Sequence, residues 1–278
     1  MPQPDFAQRR VLVVGGSSGV GRSIALTAAA QGARVAVVGR RAELLAEVAD
    51  KTGGTAIVAD LAKAEDCGRV ADEAVAALGG EIDAVVHTAG VSPLMRIDRT
   101  PPKVWQKLMA TNVIGPVLVT SALLPSLTES ALVAFTSSRS VGRPYHGVGP
   151  YSASKAALDQ AILSLRLENP RLRFSRIEIG DTAGTDFNRD FDMATRGELA
   201  PLWLSHGVLS EVLMDCDDLA SLIAAALGQL LARPGISANN LVFHGAGGVL
   251  TSFDQKPSIG VPQPARLPVA DTSAGHHA

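Results

Sequence analysis

Short runs of Val, Ile and Ala alternate along the chain with longer segments in which apolar residues recur at helical spacing. The strands this pattern predicts are Val11–Val14, Arg34–Val38, Ala56–Ala59, Ile82–Val86, Ala131–Thr136, Phe174–Ile179 and Leu241–Phe243. Most are apolar at consecutive positions, as parallel strands covered on both faces must be, rather than alternating as half-wet strands do. Helices are predicted in the gaps, over Gly21–Gln31, Ala42–Lys51, Ala64–Leu78, a long stretch through Leu124, Pro150–Leu167 and Asp218–Leu231. Such βαβα alternation implies right-handed crossovers and an α/β fold, a single-domain doubly wound parallel sheet with helices on both faces. It extends over residues 9–255, after an N-terminal extension of residues 1–8 and before a Pro/Gly/Ser-rich tail of residues 256–278.

Composition narrows the function classes. Of 278 residues, 46% are hydrophobic and 19% charged, enough apolar content for a large core and too much for a disordered chain. The net charge of −2 comes with no basic block, so nucleic acid is not an expected partner. Two cysteines, Cys67 and Cys216, make neither a disulfide framework nor a four-ligand zinc site, and fit a reducing cytoplasm. The six histidines lack metal-ligand spacing, so no metal is expected. Met1–Arg10 has no apolar run behind a basic start, unlike a secretory signal. The uncharged run Leu108–Thr128 is interrupted by Asn112 and two prolines, and reads as a buried or interface helix rather than a membrane span.

Immediately after the first predicted strand comes Gly15-Gly16-Ser17-Ser18-Gly19-Val20-Gly21, and then a helix. Glycines allow a tight turn and a close backbone approach, and the positive end of the helix attracts a pyrophosphate. In this strand–turn–helix context the loop predicts a Rossmann-like dinucleotide site. An acid at the end of the second strand would accept from the ribose of NAD, whereas arginine pairs with the 2′-phosphate of NADP. The chain has Gly39-Arg40-Arg41 there, which favours NADP(H) over NAD(H), with Arg40 on the phosphate, Arg41 at the start of the next helix and Arg22 assisting from the turn.

The Gly-x-x-x-Gly-x-Gly spacing, Asp60, His87-Thr88-Ala89-Gly90, Asn112, Ser138 and Tyr151-Ser152-Ala153-Ser154-Lys155, in this order, resemble the short-chain dehydrogenase/reductase family over most of residues 9–250. The resemblance implies a cofactor lying on Gly15, Ser17, Ser18, Gly19, Val20 and Gly21. Asp60, with Leu61 beside it, would meet the adenine, and Ala89 and Gly90 the adenosine ribose. A threonine, Thr182 or Thr185, would touch the nicotinamide carboxamide. It also implies a homotetramer or homodimer packed through Thr111–Leu127 and Pro150–Leu167.

Tyr151 and Lys155 lie one helical turn apart, so their side chains share a face. A phenol with a pKa of about 10 needs about 4 kcal/mol in favour of the phenolate to work as a base near neutrality, and a nearby ammonium supplies interaction of that order. Tyr151 is therefore the expected acid/base and Lys155 its activator; the resemblance further implies that Lys155 binds the nicotinamide ribose, that Ser138, with Ser140 as runner-up, orients the substrate oxygen, and that Asn112 supports a proton relay. The predicted reaction is hydride transfer between NADP(H) and a ketone or secondary alcohol. A catalytically weak dinucleotide-binding regulatory or scaffold protein is the rival.

Some positions depart from the family pattern. Val14 replaces a threonine, His87-Thr88 replace paired asparagines, and Ile179-Gly180-Asp181 replaces Pro-Gly, placing Glu178 and Asp181 where they weaken cofactor binding unless they pair with arginine. The segment Asp186–His206, with Phe187, Phe191, Met193, Leu202 and Trp203, is the expected lid and suggests a mainly apolar small-molecule substrate. His146 is a second candidate for substrate contact.

Overall fold

A computed structural model describes residues 6–261 except 190 and 253; residues 1–5 and 262–278 of the expected extension and tail lie outside the described residues. Seven strands form one parallel sheet in the order β3-β2-β1-β4-β5-β6-β8. They are β1 (Arg10–Val14), β2 (Arg34–Gly39), β3 (Thr55–Val58), β4 (Ile82–His87), β5 (Leu127–Ser138), β6 (Arg173–Ile179) and β8 (Asn240–Phe243). A separate parallel pair joins β7 (Val212–Leu213) to β9 (Ser258–Ile259). Strand order reverses between β1 and β4, and at such a switch point the carboxyl ends of the strands open a crevice.

Successive side chains of β1 face opposite layers, as the strand period requires. Val11 and Val13 pack with α1 (Gly19–Ala30), α2 (Ala42–Thr52) and α8 (Cys216–Leu231). Leu12 and Val14 pack with α3 (Ala64–Leu78), α5 (Gly115–Leu123) and α6 (Gly149–Glu168). Each fully buried aliphatic side chain contributes about 1.5–3 kcal/mol, which makes the sheet the rigid part of the site.

Several boundaries differ from the sequence reading. The expected long helix through Leu124 runs continuously over Pro102–Ser126, but widens between α4 (Pro102–Met109) and α5 into a π turn over Ala110–Ile114. Pro116 accounts for the widening, since it has no N–H to give the carbonyl of residue 112 and its ring crowds that carbonyl. The run Pro102–Ser126 is long and apolar enough to cross a membrane by length and composition alone, but half of its most apolar window is buried in the fold. The expected extension is not separate from the core, because Phe6 is 1% exposed and packs under α8 with Val11 and Val35. Nor is all of residues 256–261 tail, since β9 pairs with β7. The expected lid contains a helix, α7 (Met193–Ser205), with Pro201 inside it.

Candidate active site

The turn from β1 into α1 is held by the Gly15 and Gly16 amides, which donate to Val38 O at 2.8 and 3.1 Å. Gly15 has φ +101°, and a Cβ there would lie 2.4 Å from Ala89 N; at Gly21 it would lie 2.2 Å from Thr88 Oγ1. The glycines are therefore needed to bring this turn against the end of β4. Ser18 begins α1 without a side-chain cap, and the first turn has no acid. Its amides and helix dipole thus face the crevice ready for an anion. These features fit a dinucleotide pyrophosphate. A smaller hollow beside them, about 120 Å³, is lined by Arg40, Arg41, Asp60, Leu61, Ala89 and Gly90, which places the predicted adenosine-end residues together.

The two arginines differ from the expectation. Arg40 is exposed, whereas Arg41 folds back over the turn, donating to Ser17 Oγ at 3.0 Å and to Asp186 Oδ2 at 2.6 Å, and also to Ser18 Oγ. Arg41 is therefore more than the start of α2. Asp60 accepts from the Ala62 amide at 3.1 Å and also lines the hollow.

Tyr151 and Ser138 line one wall of a cavity of about 490 Å³ that runs from the glycine turn to the lid. Ser140 is fully buried behind Ser138, its hydroxyl 3.0 Å away and its amide donating to Ser138 Oγ at 3.2 Å. Ser138, with Ser137, lines the cavity, while Ser140 lies behind and braces Ser138. Lys155 is 3% exposed and donates to Thr136 O at 2.8 Å, with Nζ 6.0 Å from the Tyr151 ring centre. Asn112, wholly buried in the π turn, accepts from Val91 N at 2.8 Å and donates to Val91 O at 3.0 Å and Ser154 Oγ at 2.9 Å. It ties the strand–helix junction after β4 to α6, the helix that carries Tyr151 and Lys155.

The electrostatics correct one expectation. Burial pushes the Tyr151 phenol above its ordinary value, with Tyr145 adding to the rise and a hydrogen bond with Ser138 opposing it. Burial also pushes Lys155 down to about 8, against the attraction of Asp159. Desolvation of the phenolate outweighs a cation that is itself disfavoured by burial. In the described form Tyr151 is a proton donor rather than a primed base. His87, stacked on Phe135 at 4.6 Å and bonded through Nε2 to Thr120 Oγ1 at 2.9 Å, is pushed down to about 3 by burial and is a neutral packing group.

Both suspect acids are paired with arginine. Arg176 donates to Glu178 at 2.7 Å and Asp159 at 2.6 Å, and His244 lies 3.0 Å from Glu178. Asp181 accepts from Ser210 Oγ at 2.7 Å and lies 3.4 Å from Arg139. The loop after β6 therefore adds little net negative charge to the crevice. Thr182 and Thr185 both line the cavity, and Thr182 donates to Gly180 O at 3.1 Å.

The lid covers the site in part as expected. Phe187 meets the Tyr151 ring edge-to-face at 5.3 Å and Phe191 meets Phe187 at 5.5 Å, while Trp203 donates to His146 O at 2.7 Å. Met193 is 72% exposed and is not among the cavity residues, because it occupies the outer face at the start of α7. His146 likewise lies off this cavity, packing against His206. Sequence reasoning missed Tyr145, Arg139, Arg196 and Ser210 as cavity residues. Arg139 directly follows Ser138 in the chain, but the distant positions carried no local signal.

Comparison with known proteins agrees with this geometry. Residues 9–195 match the family model described as short chain dehydrogenase. The chain is 36% identical over 195 residues to the uncharacterized oxidoreductase YciK of Escherichia coli (strain K12), covering 65% of this chain and 77% of that protein. It is 33% identical over 187 residues to the NADP-dependent 3-hydroxy acid dehydrogenase YdfG of the same strain, covering 64% and 74%. Two further relatives are matched over only 49% and 60% of their own length. A short chain dehydrogenase from Burkholderia cenocepacia J2315, solved with NADP, superposes with a TM-score of 0.73 at 26% identity, covering 87% of this chain and 98% of that one. The chain belongs to the short-chain dehydrogenase/reductase family of oxidoreductases, and its doubly wound parallel sheet is that family's fold.

Proposed function

We propose that this protein is an NADP(H)-dependent oxidoreductase interconverting a ketone and a secondary alcohol, with Tyr151 handling the proton. The observation that carries this reading is the shared cavity wall of Tyr151 and Ser138, backed by buried Lys155 and Asn112. The glycine turn and the amides of α1 would hold the pyrophosphate, Asp60 and Leu61 the adenine, Ala89 and Gly90 the ribose, and Arg41 with Arg40 the 2′-phosphate. NADP is present in the solved neighbour and in the name of the Escherichia coli relative, which supports the same preference here.

When bound, the dinucleotide supplies or removes the hydride. Ser138 donates a hydrogen bond to the substrate oxygen and fixes its position. Tyr151 gives that oxygen its proton during reduction, a role suited to a phenol held protonated by burial. Lys155, anchored on Thr136 O, stabilises the phenolate left behind until solvent returns its proton, and Asn112 holds the junction after β4 against α6 through Val91 and Ser154. Phe187 and Phe191 keep water from the reacting end.

The scaffold alternative rested on unpaired acids after β6, and the ion pairs to Arg176 and Arg139 remove that motive. The exposed apolar side chains Ile114, Leu118, Leu163 and Leu167 support a dimer or tetramer through α5 and α6. The test is Tyr151→Phe assayed by NADPH oxidation across a panel of ketones. Turnover is expected to fall at least about 1,000-fold with NADPH binding retained. Equal turnover in both proteins refutes the assignment.

A further inference from the structure

The charged groups on the cavity wall are Arg139, Asp181, Asp186 and Arg196. Asp181 is shared by Arg139 and Ser210, and Arg139 also donates to Ser210 Oγ at 2.9 Å and to Val208 O. Asp186 is held by Arg41 at 2.6 Å and by Arg189 at 3.7 Å. Among the described residues, only Arg196 of this set has neither an ion pair nor a side-chain hydrogen bond.

Arg196 is exposed on α7 but also lines the cavity. Arg196, Leu199 and Trp203 stand at helical positions i, i+3 and i+7, so they share the stripe that α7 turns inward. Leu199 is 2% and Trp203 8% exposed, and Trp203 borders the same cavity. The same cavity is lined by Phe187, Phe191 and Trp203. A guanidinium without an ion pair, in a cavity that is also lined by apolar side chains and by the hydroxyl pair Ser138 and Tyr151, matches a ligand that is apolar in part and anionic at one end.

We infer that the substrate carries a carboxylate which Arg196 binds at the lid, an oxo acid or hydroxy acid whose carbonyl or hydroxyl carbon lies at Ser138 and Tyr151. This rests on the oxidoreductase reading and deepens it from carbonyl compounds in general to acids. One guanidinium matches a monoanion and its planar fork accepts carboxylate oxygens in pairs, whereas a phosphate dianion would leave a charge unmatched.

Two measurements on the full chain separate the inference from the reading beneath it. The first titrates hexanoate and hexanamide by saturation-transfer NMR, which needs no turnover. Hexanoate is expected to bind at least about ten-fold more tightly than hexanamide, with that margin lost in Arg196→Gln and largely kept in Arg196→Lys. The second compares kcat/KM for 3-hydroxyhexanoate and its methyl ester with NADP+. Arg196→Gln is expected to lower the acid-to-ester ratio about 10- to 100-fold, and Arg196→Glu to lower it further. The side chain is exposed, so retained far-UV circular dichroism is expected in all three variants. Equal binding of acid and amide, hexanoate binding that survives Arg196→Glu, or an acid-to-ester ratio indifferent to residue 196 overturns the inference. Arginine-dependent hexanoate binding with no turnover of either compound would sink the oxidoreductase reading and leave the anion subsite standing.

Discussion

In the sheet, Val11–Val14, Ala36–Val38 and Val85–Val86 are apolar and at most 1% exposed, and α6, the helix that carries Tyr151 and Lys155, is fixed by packing Leu158, Ile162 and Leu165 against that layer. Across the crevice, residues 179–214 combine an apolar cluster, in which Leu199, Trp203 and Val208 pack with Leu94, Leu108 and Tyr151, with polar contacts: Arg41 with Asp186, Arg139 with Asp181, Ser210 with Asp181, and Trp203 with the His146 carbonyl. Packed aliphatic layers resist displacement because every shift opens a void. Exposed ion pairs are worth about 0–1 kcal/mol and exchange readily for a ligand's charges. The floor is held by packing, whereas the lid adds to a packed inner face a set of ion pairs that a charged ligand can replace.

The sharpest challenge to that division is Lys155, a charge placed in the rigid half. Its folded-state pKa, about 8, lies below the ordinary lysine value, so the unfolded chain binds more protons between about 8 and 10.5. The buried ammonium therefore weakens the fold below about pH 8, and the penalty fades as pH rises through that window. Lys155→Met is expected to reduce turnover at least about 1,000-fold while raising stability at pH 7 by up to about 3 kcal/mol, less the lost bond to Thr136 O. Urea unfolding of both proteins at pH 7 measures it; a less stable variant would mean that the charge supports the fold. In the wild type, reductive kcat should stay level from pH 6 to about 7.5 and decline as Lys155 loses its charge above about 8, because Tyr151 keeps its proton throughout that range.

Substitutions on the lid side are expected to act on affinity instead. Arg41→Ala should weaken NADPH about 10- to 100-fold and NADH only slightly, as read by fluorescence titration. A comparable loss for both cofactors would remove Arg41 from the 2′-phosphate. Asp186→Asn acts in the opposite direction. Arg41 holds the Asp186 carboxylate below the usual carboxylate range, and Ser18 at the start of α1 assists, so this side chain carries an anionic charge where phosphate charge would lie. Its neutralisation is expected to tighten NADPH several-fold, and weaker binding would show the latch to be part of the cofactor site. The smallest effect belongs to Met193→Ala on the outer face of α7, for which KM should change less than about two-fold.

The sequence showed the rigid half far better than the lid. Consecutive apolar residues such as Val11–Val14 identify a doubly covered strand without any neighbour, and Gly15 and Gly21 mark a turn that only glycine fits. Tyr151 and Lys155 are four positions apart, so helix geometry alone puts them together. The role of Arg41 was not legible, because Asp186 is 145 residues away and nothing local joins them. The same applies to Asp181 and Ser210, and to the inward stripe of α7, whose apolar pattern is interrupted by Arg196, Gly197, Glu198 and Pro201.

What the chain determined by itself was local: strand or helix from the spacing of apolar side chains, a phosphate-ready turn from its glycines, and an acid/base pair from one helical turn. Tertiary structure alone decided that Ser140 lies behind Ser138, which arginine reaches the glycine turn, whether the acids after β6 stand paired, and whether burial raises or lowers the phenol. These depend on desolvation and on partners brought from distant segments, so they exist only once the layers have closed around them.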